Sequence, residues 1–443
     1  MAADNDTITE PSIPDGHNVV LTRRYMMRVK RVGTMVAMMM TALLLPIGAR
    51  AENGQDATTT EVNVRLLGAL GDGKADDTAA VQKGLDMAKS GGGLFIPPGN
   101  YRITKTLRVE RCSGLTVRGQ AGLPWKRGEK TSATLFWDGD QNGVLLDTVG
   151  VSGGRFENLN LDGNGKAGTL LRFLSAVGWG NMLHKFDNLH LMNADVGLQF
   201  GGGGSPDMCN SDMLFTYTTF ARLKRGMLVK NNQGVDFMFN YLFGLGCDTI
   251  FDFEKGGNLL VNTAQMTDCK LFLDIGGGGR CAGTYLCNNV RIESGDGGKA
   301  NRFQALKSYP ANHQAVVRFV NYCDAQWNWS ANGTEKRELP FFDVGPGTSL
   351  SIESAIFNGP VASLAGAKDA PASLVARGCS FGFIKPEDAV KANELGYFKL
   401  LDNFTDSMAP LSDVVKWPSL PPVILNATAI YRGKGLQPPP AGK

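Results

Sequence analysis

The apolar positions of this chain fall mostly in short alternating runs, the two-residue period of a strand. Val62, Val64 and Leu66 alternate in this way, and the spacing predicts a strand there. One helical stretch follows. Asp76-Asp77-Thr78 caps a helix expected from about Ala79 to Lys89, with Val81, Leu85 and Ala88 as its apolar face. Leu94-Phe95-Ile96 and Tyr101-Arg102-Ile103 are strands on either side of the turn Pro97-Pro98-Gly99-Asn100. Near the C-terminus, strands are expected at Phe341–Val344, Leu350–Phe357 and Leu374–Phe383. A short helix is expected from Pro386, ending at Gly396, and a frayed tail after Leu436.

The middle of the chain aligns with itself. Phe237–Phe253 matches Leu259–Ile275 at an offset of 22, superposing Asn240 on Asn262, Cys247 on Cys269 and Asp252 on Asp274. Phe156, Phe186, Phe215 and Phe239 extend the match backward at offsets of 30, 29 and 24. A period of this size, filled by short strands, is one coil of a β-solenoid. Leu159, Leu189, Thr218, Leu242, Ala264 and Val290 then stack as one inward column. Leu161, Leu191, Phe220, Gly244, Met266 and Ile292 form another. Asn240, Asn262 and Asn288 form an asparagine ladder at a turn, and Cys247 and Cys269 are stacked inward thiols. Asp195, Lys224, Asp248 and Lys270 are a surface ladder of alternating charge. Arg302 to His313 breaks the period and is long enough to overhang a groove.

Composition agrees. Of 443 residues, 43% are hydrophobic and 20% charged, which excludes global disorder. Glycine, at 56, is well above its usual share and fits many tight turns. The eight cysteines show no CxxC or zinc spacing. Residues 1–51 read as a signal peptide. Arg28, Lys30 and Arg31 precede the apolar run Met35–Ile47, small residues surround Arg50, and Arg23-Arg24 is also compatible with twin-arginine export. Without that segment the charges nearly balance, so nothing points to nucleic acid, and no membrane span remains. The chain is therefore expected to be exported, to the periplasm or beyond. Gly68-x4-Gly73-Lys74 approaches a phosphate-binding loop, but Ala75 stands where the Mg²⁺-binding hydroxyl belongs, so a nucleotide is not expected either.

Gly68-Ala69, Gly71-Asp72-Gly73, Asp76–Ala80, Gln82, Gly92-Gly93, Pro97-Pro98-Gly99 and Tyr101 resemble the opening of the pectate-lyase-like (rhamnogalacturonase/epimerase-type) family. The family's usual Asp-Phe is replaced here by Leu66-Leu67. The resemblance implies an all-β, right-handed parallel β-helix with an N-terminal capping helix. The layout is then a cap at 52–110, coils at 111–384 and a C-terminal cap and tail at 385–443. It also implies polysaccharide as partner. The strings of the polygalacturonase branch are absent: Asn262-Thr263-Ala264 and Arg291-Ile292-Glu293 stand where they would be sought, and Gly-His-Gly does not occur.

Strand alternation assigns two outward rows. The first strands present Asn158-Asn160-Asp162, Asn188-His190-Met192, Tyr217-Thr219-Ala221, Tyr241-Phe243-Leu245, Thr263-Gln265-Thr267 and Asn289-Arg291-Glu293. Aromatic rings suit sugar faces, and amides suit hydroxyls. Tyr217, Tyr241, Phe243, His190, Asn160 and Asp162 are thus candidate substrate contacts, with Arg291 and Glu293 as candidate catalytic groups. The second strands present Asp252 and Glu254 on one coil, with Asp274 one coil on. Paired carboxylates suit acid/base work, a retaining glycosidase at ~5 Å separation, or a Ca²⁺ seat on Asp252 and Asp274. The expectation is a lyase or glycoside hydrolase on an acidic, pectin-like glycan. The alternative is a non-catalytic carbohydrate-binding or structural β-helix.

Overall fold

Each turn of the chain lays one strand on each of three parallel sheets, here A, B and C. The structure, a computed structural model, describes residues 61–416 except 90, 121, 123–130, 278–280, 282, 294–302, 310–313, 325–338, 358, 382–385, 405–409 and 412. The leader and the tail after Leu436 lie outside these residues. The fold is the right-handed parallel β-helix expected, with one capping helix.

Sheet A runs through Arg155–Asp162, the first half of Lys185–Phe200, the middle of Asn210–Val229, then Leu242–Leu245, Ala264–Thr267 and Val290–Glu293. Sheet B runs through Val144–Ser152, Thr169–Leu174, the ends of the two long strands, Thr249–Phe253, Leu271–Ile275, Gln304–Ser308 and Phe342–Val344. Sheet C carries Gly234–Phe239, Gly257–Val261, Gly283–Asn288, Ala315–Val320, Thr348–Glu353, Ala372–Arg377 and Gly396–Leu401. Its last strand pairs antiparallel with Val414–Lys416.

The sequence register holds. Phe156 pairs with Phe186, Phe186 with Phe215, Phe215 with Phe239, and Asp252 with Asp274. Identical rings one strand spacing apart stack face to face, at 5.4, 4.3 and 4.2 Å along Phe156-Phe186-Phe215-Phe239. Both inward columns are buried, and Cys247 and Cys269 are buried free thiols. The surface charge ladder forms as Lys224–Asp195 at 2.7 Å and Lys270–Asp248 at 2.6 Å.

Asn262 Nδ2 donates to Asn240 Oδ1 at 3.0 Å. The ladder then steps one residue along. Asn289, not Asn288, donates to the Asn262 carbonyl at 3.2 Å, and Asn321 donates to Asn289 at 3.1 Å. Asn289 and Asn321 have positive φ, which asparagine tolerates. Asn262→Ala is expected to cost about 1 kcal/mol in a urea melt, as for loss of one hydrogen bond.

The cap explains its own motif. Asp77 faces inward and accepts from the N–H groups of Leu70 and Gly71, at 2.7 and 3.1 Å. Gly71, at φ +61°, lies against Tyr101, whose hydroxyl donates to the Pro97 carbonyl at 2.8 Å. Asp76 receives the Thr78 N–H and hydroxyl. The helix, Thr78–Ala88, covers the first coil, and at Gly84 any Cβ would meet Leu94 at 2.4 Å.

Three expectations are corrected. The first strand stops at Asn63, and Val64–Leu67 is a 3-10 turn ended by Gly68 in the left-handed region. The C-terminal helix is only Pro386–Ala389, because Val390–Ala392 pairs into sheet B. Gln304–Ser308, expected to overhang, is a regular sheet B strand paired to Leu271–Ile275.

Candidate functional site

The outward face of sheet B gathers charge where its register stacks residues of matching parity. One column reads Leu228, Asp252, Asp274, Lys307 and Asp343 through successive pairings. Glu254 lies two residues beyond Asp252, on the same face. Arg225 comes within 3.4 Å of Asp252 and 3.5 Å of Glu254, and Lys230 within 3.2 Å of Glu254. Lys307 makes no ion pair among the described residues and lies over the Tyr309 ring, 4.8 Å from its centroid.

This packing splits the two acids. Burial pushes the Asp274 carboxyl up to about 7, the neighbouring Asp252 charge pushes the same way, and Lys307 and Arg225 oppose. Asp274 Oδ1 is buried and makes no hydrogen bond. Burial also raises Asp252, but Arg225 works against it, so Asp252 ionises first. Near neutral pH the column therefore offers one carboxylic acid beside one carboxylate, with three cations around them. Asp343, a coil beyond Lys307, is likewise raised by burial.

Residues 61–125 match the family described as rhamnogalacturonase A/epimerase, pectate lyase-like. That N-terminal segment carries the pectate-lyase-like signature. Among curated proteins it is similar to mannuronan C5-epimerase AlgE2 of Azotobacter vinelandii, 35% identical over 24% of this chain and 11% of the relative. It is also similar to alginate lyase 7 of the same organism, 52% identical over 10% of this chain and 5% of the relative. The chain thus spans about a tenth or less of the length of these relatives. Among solved structures, a GH87 alpha-1,3-glucanase from Streptomyces thermodiastaticus superposes with TM-score 0.44 and 14% identity, over 82% of this chain and 73% of that one.

The β-helix brings together Asp252, Glu254 and Asp274 but keeps the other expected residues apart from them. Tyr217 and Tyr241 lie side by side, tilted by 36°, at the corner where sheet C turns into sheet A, with ring centroids 5.4 Å apart and Tyr217 60% exposed. Between Tyr241 and Asp252 lie a sheet A strand and the following turn, so the aromatics and the acids sit at different positions of the coil. Tyr217 has φ 52° and belongs to the same corner column as Asn158, Asn188 and Asn289. Arg291 and Glu293, on the outer face of sheet A, pair with each other at 2.6 Å, and Gln265 donates to Glu293 at 3.0 Å.

Two expected sugar contacts, Asp162 and Asn160, are buried, and a third, His190, is half-buried. Asp162 is 1% exposed, and its carboxylate accepts from the Asn164 N–H and from Asn193 Nδ2 at the turn between A and B. Asn160 is 3% exposed and donates to Ser132 and Thr134. His190 pairs with Asn160 in register. Burial pushes its pKa down to about 4, so it is neutral and carries no charge for a uronate. Phe243 is half-buried between Thr219 and Gln265. As for the Ca²⁺ seat on Asp252 and Asp274, no three His, Cys, Asp or Glu side chains among the described residues converge as a metal site. A cation there would need further oxygens from substrate or water.

The sequence reading missed Arg225, Lys307, Tyr309 and Asp343. Arg225 lies in the same long strand as Tyr217, past a turn that no glycine or proline marks. Lys307 lies 33 residues after Asp274, beyond the range of the 22-residue repeat.

Proposed function

We propose that the chain is an exported enzyme acting on an acidic, uronate-bearing polysaccharide, with the outer face of sheet B as its reacting centre. What carries this is Asp274, in register one coil from Asp252, with its carboxyl raised to about 7 by burial, Arg225 and Lys307 acting on it, and Lys230 beside Glu254. Arg225, Lys230 and Lys307 suit the substrate carboxylate. Neutralising it acidifies the adjacent C–H, as a lyase or an epimerase requires. Asp252 is then the base and Asp274 the acid that returns a proton, to the leaving oxygen in elimination or to carbon in epimerisation. The names of the curated relatives, mannuronan epimerases and an alginate lyase, support a uronate.

A retaining hydrolase is the second reading. It is favoured by the register pairing of the two acids, since adjacent strands lie ~4.8 Å apart. There Asp252 is nucleophile and Asp274 acid.

Incubation with polymannuronate and polygalacturonate in D₂O separates these. Deuterium at the carbon beside the carboxylate, or an unsaturated uronate end, supports proton abstraction. New reducing ends without either support the hydrolase. If no glycan is altered, the chain is a binding protein and the enzyme reading fails. Tyr241→Ala is expected to leave the melting temperature unchanged and to weaken oligosaccharide binding by ~1 kcal/mol, the size of one ring contact, in calorimetry. Unchanged binding removes the corner tyrosines from the substrate path. Export by residues 1–51 predicts a mature N-terminus close to Ala51, read by sequencing the secreted protein.

A further inference from the structure

The turn between sheets A and B is furrowed by two adjoining open hollows, of about 580 and 490 Å³, which meet at Asn164. One extends toward the N-terminal cap past Arg102 and Lys74. The other extends past Asn193 and Arg222 to Asp248. The furrow therefore follows the solenoid axis and ends on the coil that carries Asp252. Its lining is about evenly polar and apolar.

Most of its charges are already paired. Asp138 takes Arg102 at 2.8 Å and Lys166 at 2.5 Å, and Asp195 takes Lys224 at 2.7 Å. Two exposed cations are left over. Among the described residues Lys74 makes no ion pair, and Arg222 makes one side-chain bond, from Nε to Asn193 Oδ1 at 2.7 Å. Asn193 in turn donates to the buried Asp162, so the guanidinium is held by a fixed chain with its terminal nitrogens unpaired.

The corner position under Arg222 is left-handed in four consecutive coils: Asn193 at φ 58°, Arg222 at 53°, Gly246 at 60° and Asp268 at 54°. Asparagine, glycine and aspartate tolerate that conformation, and arginine gains nothing from it. Arg222 is one of several residues that hold a left-handed corner without such tolerance, among them the exposed Arg111 at φ 46° and Leu183 at 59°.

We infer that this furrow is a binding track for an anionic polysaccharide, in which Arg222 and Lys74 take carboxylates of sugars several residues away from the reacting one. A guanidinium with free Nη groups matches a carboxylate in bidentate fashion. Coils at ~4.8 Å intervals offer repeated contacts to a chain lying along the axis. The inference shares its ligand class with the proposed function but not its chemistry.

The test is calorimetric titration with long polymannuronate, a mannuronate trimer and neutral dextran, alongside turnover of the trimer. Wild type is expected to bind the long polymer more tightly than the trimer and to ignore dextran. Arg222→Ala with Lys74→Ala is expected to weaken long-polymer binding about ten-fold, as for loss of a charge-assisted contact, and to leave trimer turnover unchanged. Arg222→Lys is expected to recover only part of the affinity. Long-polymer affinity unchanged in the double variant overturns the track, whatever the turnover, as does equal affinity for dextran or no binding by wild type. Binding lost in the double variant, with no turnover by wild type, keeps the track and overturns the enzyme.

Discussion

Asp274→Asn is expected to lower turnover of a uronate polymer by about 10²–10⁴-fold, the usual worth of a placed acid or base. The side chains differ little in volume, so folding should survive the change. Wild-type activity is expected to fall as pH rises through about 7, where Asp274 loses its proton. Stability carries the same signature. The folded-state pKa lies above the ordinary value of 3.8, so the folded chain holds an extra proton between roughly 4 and 7. Stability from this group is thus fullest at the acidic end and is lost as pH rises across that window. Melting temperatures of wild type should decline from acid to neutral pH more steeply than those of Asp274→Asn. A variant with full turnover, or a wild type with no pH-dependent loss of activity near 7, would remove Asp274 from the reaction.

Phe215→Ala is expected to cost about 3–5 kcal/mol, the range for emptying a buried aromatic site. Phe215 is fully buried between Phe186 and Phe239, with both neighbours stacked on it. Deleting it removes two ring contacts as well as a side chain's volume. Sheet neighbours above and below are fixed by their own ladders, so the void has little freedom to collapse. The urea midpoint should drop accordingly, and a second early transition would show that the coils on either side unfold as separate blocks. A shift below about 1 kcal/mol would show that the stack is not a stability determinant.

The fold was legible because a solenoid writes its register into the chain. Residues that stack must share size and polarity at a nearly fixed interval, and Phe186, Phe215 and Phe239 do so across changes in coil length. The acids were found the same way, since Asp252 and Asp274 share that interval. What surrounds them was not. Arg225 reaches Asp252 and Glu254 through a long side chain whose direction no period encodes. Lys307 and Tyr309, which act against the rise that burial imposes on Asp274, come from a coil of irregular length. The outward row of sheet A failed at Asn160 and Asp162 because alternation tells which way a side chain points and not what lies over it.

The antiparallel strand Val414–Lys416 closes the last coil of sheet C against a neighbour of opposite direction. Every other edge in that sheet meets a strand running its own way, and a parallel edge accepts another parallel edge without limit. A chain built of near-equivalent coils is thus one unblocked end away from joining its copies head to tail into a fibre. Reversing the final strand gives Gly396–Leu401 a partner that no incoming coil can imitate. At the other end the helix Thr78–Ala88 sits where a preceding coil would dock. Among the described residues, sheet C thus ends on an element that an incoming coil could not match, and the helix covers the first coil at the opposite end.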